Sequence, residues 1–213
     1  MRLFSFFNSS TSYRVRIALM LKGVPFDYVP LNLRAGEQRG ASYRTLNPAG
    51  GVPLWEEDDG TLITQSLAII DRLDSLYPFP RLIPPDGLKR TRALEVASLI
   101  ACDIHPLNNL RVLGYLDKDL EVSAERKSAW YRYWIYEGLA GVEGLLARHG
   151  TGPYCLGDTV SIADCCLIPQ IANALRMGCE LEAFPLCMQV YRYCSELLPF
   201  QLAAPQMQPD YLP

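Results

Sequence analysis

The chain has 213 residues, 49% of them apolar and 20% charged, the mix of a globular protein with one large core or two modest ones. A formal net charge of −3 and a pI near 5.4 exclude the basic face that a nucleic acid needs. No apolar stretch approaches the roughly 20 residues of a bilayer span, and the short interrupted run in MRLFSFFNSS does not read as a signal peptide. The expected compartment is therefore the cytoplasm, with no membrane partner.

RLFSFF reads as a strand. Residues 12–22 follow as a helix with Val15, Ala18 and Leu19 on one face, and Ile17, Met20 and Leu21 widen the stripe so that more than one side is covered. Gly23 and then Pro25 end it. FDYVPLNL is a second strand, and VPLWEEDDGTLIT is a hairpin about Asp59-Gly60. A helix runs from Ser66 to about Tyr77, with Ile69, Ile70, Leu73 and Leu76 at helical spacing, whereas residues 34–50 are polar and show no clear period. This order suggests a small α/β layer with a mixed sheet.

YPFPRLIPPDG, residues 77–87, carries four prolines and reads as a link between domains. Beyond it everything is helical: LKRTRALEVASLIACDI, bent or ended by His105-Pro106; residues 124–149; a stretch from SIAD to Met177; and about 186–197. APQMQPDYLP reads as an irregular tail. The expected domains are 1–80 and 86–213.

The seven cysteines, Cys102 to Cys194, form no C-x-x-C pair, and only His105 and His149 could join them, so no metal site is expected. They read as small buried hydrophobes. Arginine far outnumbers lysine, which is compatible with anionic ligands but is more simply read as GC-rich coding.

Three short segments carry possible chemistry, each beside a plainer reading. Ser9 to Ser12 stand at a helix start beside the end of the first strand. One of these hydroxyls can cap the helix, and several together can serve a thiolate, which the helix N-terminus also favours. Val52-Pro53 is either an ordinary trans step into a strand or a cis step that leaves the Val52 main chain free to pair with an extended ligand. Gln65-Ser66 opens a helix, either as a simple cap or as a carboxylate site at the positive end of the helix dipole. Ser161-x-x-Asp164 is a capping box, and its role is structural.

Together these residues resemble the glutathione transferases, specifically the zeta class of maleylacetoacetate and maleylpyruvate isomerases. SSTSYRVRIAL is similar to the class signature, LNPAGGVPLWEEDDGTLITQSLAIIDRLD to its glutathione-binding segment, and CDIHPLNNLRVL and GDTVSIADCCLIPQIANALR to its helical domain. The resemblance implies a thioredoxin-like domain, then an all-helical bundle, in a homodimer. It implies glutathione as cofactor and a dianionic enol-acid as substrate.

The same resemblance implies roles for individual residues. Ser9, with Ser10 and Thr11, would activate the thiol. Val52, before a cis Pro53, would clamp the cysteinyl part, and Gln65 and Ser66 the γ-glutamyl end. Asp103, reaching across the dimer, would join that end, with His105 and Asn109 along the cleft. Asn8, Arg111 and Arg176 would receive substrate carboxylates. Asn8 departs from the family's common Arg, a loss that Arg14, Arg44 or Arg111 could offset, and Thr11 replaces the signature Cys. The implied activity is glutathione-dependent isomerisation of maleylacetoacetate in aromatic amino-acid breakdown. Alternatives are maleylpyruvate isomerisation in gentisate breakdown, general glutathione transfer, and a non-catalytic glutathione-binding module.

Overall fold

The computed structural model describes residues 1–85, 87–150 and 152–212. In chain order its elements are β1 (Arg2–Ser5), α1 (Ser10–Lys22), β2 (Asp27–Pro30), α2 (Ala41–Leu46), β3 (Leu54–Glu56), β4 (Leu62–Thr64), α3 (Ser66–Leu76), α4 (Gly87–Ser98), α5 (Leu110–Lys118), α6 (Ala124–His149), α7 (Ile162–Arg176), α8 (Pro185–Ser195) and α9 (Leu198–Ala203). They divide into two compact units, Met1–Ile83 with Ser195–Pro213, and Pro84–Cys194. The expected second domain, 86–213, is therefore corrected at its end, because residues 195–213 return to the first unit. Its bounding residues, 86 and 213, lie outside the described residues.

The first unit is a four-stranded mixed sheet in the order β2-β1-β3-β4, with β1 and β2 parallel and the other pairs antiparallel. It is the thioredoxin-like half of the expected α/β plus all-α fold. In α1, Ser9 is the N-cap and accepts the Ser12 N–H at 3.2 Å. At the other end Gly23, at φ 62°, turns its N–H back to the Leu19 and Met20 carbonyls. The broad stripe of α1 is covered as its sequence requires, with Val15, Ile17, Ala18 and Leu19 all fully buried. Ile69, Ile70 and Leu73 of α3 are buried likewise, but Leu76, in its last turn, is exposed.

Two features escape the sequence pattern. The segment 34–50 contains a 3-10 turn, Glu37–Arg39, and then α2, both too short to show a period. Tertiary contact holds them: Tyr43 is buried against Phe4 and donates its hydroxyl to the Gly51 carbonyl at 2.6 Å. The second feature is a buried ion pair at the end of this unit's linker. Lys22 Nζ reaches Asp74 Oδ1 at 2.8 Å and the Tyr77 and Pro80 carbonyls at 2.7 and 2.8 Å. Asp74 also accepts the N–H groups of Leu82 and Ile83.

The second unit is all helical. The long helix expected before His105-Pro106 changes character before the proline. After α4 it widens into a π-helical segment, Leu99–Ile104, then tightens into a 3-10 turn, His105–Asn108. Gly138 of α6 makes room for this, since a Cβ there would lie 2.2 Å from Ile104 Cγ1. Asn109 caps α5, which the sequence reading did not separate, by accepting the Arg111 N–H at 3.0 Å. α7 opens on the expected capping box: Ser161 Oγ accepts from the first turn, and Asp164 accepts the N–H groups of Ser161 and Cys155. Burial raises the Asp164 pKa above the usual carboxylate value, although those hydrogen bonds pull the other way.

Six of the seven cysteines are buried and behave as expected, but Cys102 is exposed. Among the described residues, no three His, Cys, Asp or Glu side chains gather as a metal cluster, and no helix is long and apolar enough to cross a membrane.

Candidate active site

Strand register gathers the sequence-marked residues of the first unit. Phe4 of β1 pairs with Leu54 of β3, which pairs with Thr64 of β4. The chain leaving β1, the chain entering β3 and the chain leaving β4 therefore lie at one end of the sheet. Those three connections carry Asn8–Ser12, Val52-Pro53 and Gln65-Ser66. This is also the C-terminal end of β1 and β2, where open α/β sheets tend to bind ligands.

Hydrogen bonds join the first two connections. Thr11 donates its hydroxyl to the Val52 carbonyl at 2.8 Å, and Ser9 Oγ lies 2.9 Å from Thr11 Oγ1. Thr11 has one hydroxyl proton, and it is committed to Val52, so Ser9 is the donor in the Ser9–Thr11 pair. The Ser9 oxygen meanwhile accepts the Ser12 N–H, which polarises its O–H. Capping and proton donation, separable in the sequence reading, thus fall on the single side chain of Ser9. Ser10 is buried, and its hydroxyl bonds to no described residue. Asn8 is partly buried at the head of the same turn.

The Val52-Pro53 peptide is cis, the form that the resemblance implies. Among the described residues the Val52 N–H has no acceptor, so the main chain at this point can still pair with an extended ligand.

At the third connection the structure moves the cap by one residue. Gln65, at φ 71° and ψ 117°, is the N-cap of α3, and Ser66 is the first helical residue. A non-glycine residue at positive φ with an extended ψ is strained, and such strain clusters at binding sites. The Gln65 side chain is exposed and caps nothing. The N–H groups of the first turn of α3, which have no acceptor within the helix, stay available to an anion. Ser66 Oγ accepts from Arg14 at 3.3 Å. Arg14, considered above as a substrate anchor, is buried and braces the start of α3 instead.

In the second unit, Asp103 is exposed on the π-helical segment. His105 Nε2 lies 3.2 Å from Asn109 Nδ2, so the pair reads as one group next to the cap of α5. Arg111 is exposed in the first turn of that helix. Arg176, exposed at the end of α7, donates to Asn173 Oδ1, and Asn173 Nδ2 donates to the Tyr131 hydroxyl at 2.8 Å. Sequence reasoning missed Asn173 and Tyr131, although Asn173 stands one helical turn before Arg176. It also missed the groups that hold the chain just before Ser9, namely Arg16 and Asp210, because no local pattern marks them.

Residues 8–76 match the family model of the glutathione S-transferase N-terminal domain. A probable maleylacetoacetate isomerase of Vibrio cholerae is 44% identical over 98% of this chain and 97% of its own. Among solved structures, a holo maleyl pyruvate isomerase, described as a bacterial zeta-class glutathione S-transferase, superposes with a TM-score of 0.96 at 41% identity over all of both chains. A maleylacetoacetate isomerase of Methylobacterium extorquens AM1 with bound malonate and glutathione has a TM-score of 0.93 at 34% identity, again over all of both chains. The chain belongs to the zeta class of the glutathione transferases, in the family of the maleylacetoacetate and maleylpyruvate isomerases.

Proposed function

We propose that this chain is a glutathione-dependent cis–trans isomerase whose substrate is maleylacetoacetate. The observation that carries the reading is the hydrogen-bonded run Ser12 N–H, Ser9, Thr11, Val52 at the same sheet end as the open first turn of α3. Its donor set fits glutathione. The Val52 main chain can pair with a peptide, the α3 N-terminus suits the γ-glutamyl carboxylate, and Gln65 supplies an amide beside it. Bound glutathione would supply a thiolate that adds reversibly to a conjugated cis double bond, allowing the bond to rotate. Ser9 would turn its proton from Thr11 to that sulfur, while the N-terminus of α1 favours the negative charge. Ser10 stands next in line as a second hydroxyl. Asp103 is assigned to the γ-glutamyl ammonium, across a homodimer, with His105 and Asn109 beside it.

For the substrate, the planar guanidinium groups of Arg111 and Arg176 suit two carboxylates, with Arg176 oriented by Asn173. Asn8 can add a neutral hydrogen bond. The reading carries with it a cytoplasmic homodimer serving aromatic amino-acid breakdown. A second reading, maleylpyruvate isomerisation, is favoured by the TM-score of 0.96 to a maleyl pyruvate isomerase.

The test is loss of substrate absorbance for maleylacetoacetate and maleylpyruvate in parallel, with and without glutathione. Glutathione-dependent loss of maleylacetoacetate is expected, and Ser9→Ala should lower it by about 10²- to 10³-fold, the usual cost of one preorganised donor. Turnover of maleylpyruvate alone selects the second reading. No turnover of either substrate refutes both.

A further inference from the structure

The returning C-terminal segment meets the chain two residues before Ser9, at Phe7. Asp210 accepts the Phe7 N–H on Oδ2 at 3.0 Å and the Tyr28 hydroxyl on Oδ1 at 2.7 Å. Arg16, wholly buried, takes the facing carbonyls. It donates to Phe6 O at 3.3 Å and Phe7 O at 3.0 Å, and its Nε donates to Ala203 O at 2.8 Å. The Phe6 carbonyl also accepts the Ser9 N–H at 3.0 Å, closing the turn that delivers the Ser9 hydroxyl. Tyr211 packs edge-on against the Phe7 ring at 5.4 Å, and Arg34 lies over the same ring at 5.3 Å.

The segment is itself anchored, which is why it can act as a brace. Gln208 is buried and donates to the Leu202 and Ala204 carbonyls, and the Tyr211 N–H closes a turn on Gln208 O. Every main-chain polar group of Phe6 and Phe7 named here is thus bound by Arg16, Asp210 or Ser9. Phe7 is 3% exposed, and the Asp210 carboxylate is the acceptor that its N–H has in the folded chain.

We propose that Asp210 is a positioning residue: through the Phe7 N–H it sets the turn that aims the Ser9 hydroxyl at the thiol. The inference rests on the glutathione-dependent reading above. It gives the C-terminal segment a part in turnover through the main chain of Phe7. Asp210 acts on alignment, so its loss should lower kcat and leave the KM for glutathione, which is set at Val52, Gln65 and Ser66, near its original value.

The experiment compares wild type, Asp210→Ala, Asp210→Asn and Tyr28→Phe in the full chain. Readouts are kcat and KM for glutathione per folded binding site, the ultraviolet absorbance of bound thiolate, and the melting temperature. Tyr28→Phe removes the other partner of Asp210 without touching Phe7, so it controls for general loosening. Asp210→Ala should lower kcat by roughly tenfold or more, since a displacement of about 1 Å can cost 10²-fold. It should also weaken the thiolate absorbance, whereas Tyr28→Phe stays within about twofold of wild type. If Asp210→Ala does not fold, Asp210→Leu, which fills the space and removes both acceptor oxygens, carries the same comparison, whereas Asp210→Asn keeps one acceptor oxygen for the Phe7 N–H and should retain most of kcat. Equal kcat and equal thiolate signal in folded Asp210→Ala or Asp210→Leu overturn the inference. So does an equal fall in Tyr28→Phe, which would mean general loosening. A wild type without turnover or thiolate signal refutes the parent reading instead.

Discussion

The Thr11 hydroxyl lies 2.8 Å from the Val52 carbonyl, so the first turn of α1 and the residue ahead of β3 are held together by one bond between distant parts of the chain. Thr11 stands where the family commonly has cysteine, and a thiol is a much weaker donor. Replacing Thr11 by valine, which keeps the shape and removes the hydroxyl, should raise the KM for glutathione about fivefold, from a bond worth roughly 1 kcal/mol. Thr11→Ser should restore it. Steady-state kinetics with glutathione varied checks both, and an unchanged KM in Thr11→Val would show that the bond does not shape the clamp.

Gly138 is the space into which Ile104 fits. A Cβ at Gly138 would stand 2.2 Å from Ile104 Cγ1 and 3.3 Å from its Cβ, too close for a change of rotamer alone to relieve. Gly138→Ala should destabilise the protein by about 1–3 kcal/mol through overpacking. The double variant Gly138→Ala with Ile104→Ala should recover part of that loss, as coupled neighbours do. Chemical denaturation of the four proteins of the cycle measures it, and strict additivity would exclude the contact.

Lys22 and Asp74 form an ion pair whose side chains are 0% and 4% exposed. Removing one partner of such a pair leaves a buried charge, at a cost of about 3–5 kcal/mol. Lys22→Met should therefore lower stability strongly, and Asp74→Asn less, because asparagine can still accept from Leu82 or Ile83. Urea unfolding of the two variants gives the comparison.

The cysteines should differ sharply in reactivity. Burial pushes the thiols of Cys155, Cys187 and Cys194 well above the ordinary value, so each stays protonated at neutral pH, and the thiolate is the reactive form. Cys102 is exposed. Alkylation of the folded protein at neutral pH should concentrate at Cys102, with the buried thiols reacting only on unfolding. Cys102→Ala should abolish the fast phase, as intact-mass measurement would show.

Much of the fold was legible because its signals are short-ranged. Gly23 after an apolar stripe, Asp59-Gly60 between two apolar pairs, and Ser161 three residues before Asp164 each act within one turn or one hairpin. α2 was not legible, since six residues show no period and Tyr43 holds them through contact with Phe4. Nor was the π-helical segment, because the space for Ile104 is made on another helix, at Gly138.

By itself the sequence determined the elements, their order and the hydroxyls, amides and arginines to which the proposed chemistry is assigned, since these follow from local periodicity, capping and family pattern. Only the tertiary structure decided how they are used. It made Ser9 both cap and donor, moved the cap of α3 from Ser66 to Gln65, turned Arg14 inward, and returned the last residues to the first unit. Those outcomes depend on bonds such as Phe7 to Asp210, whose partners are 203 positions apart. No periodicity connects such partners, and packing alone brings them within hydrogen-bonding distance.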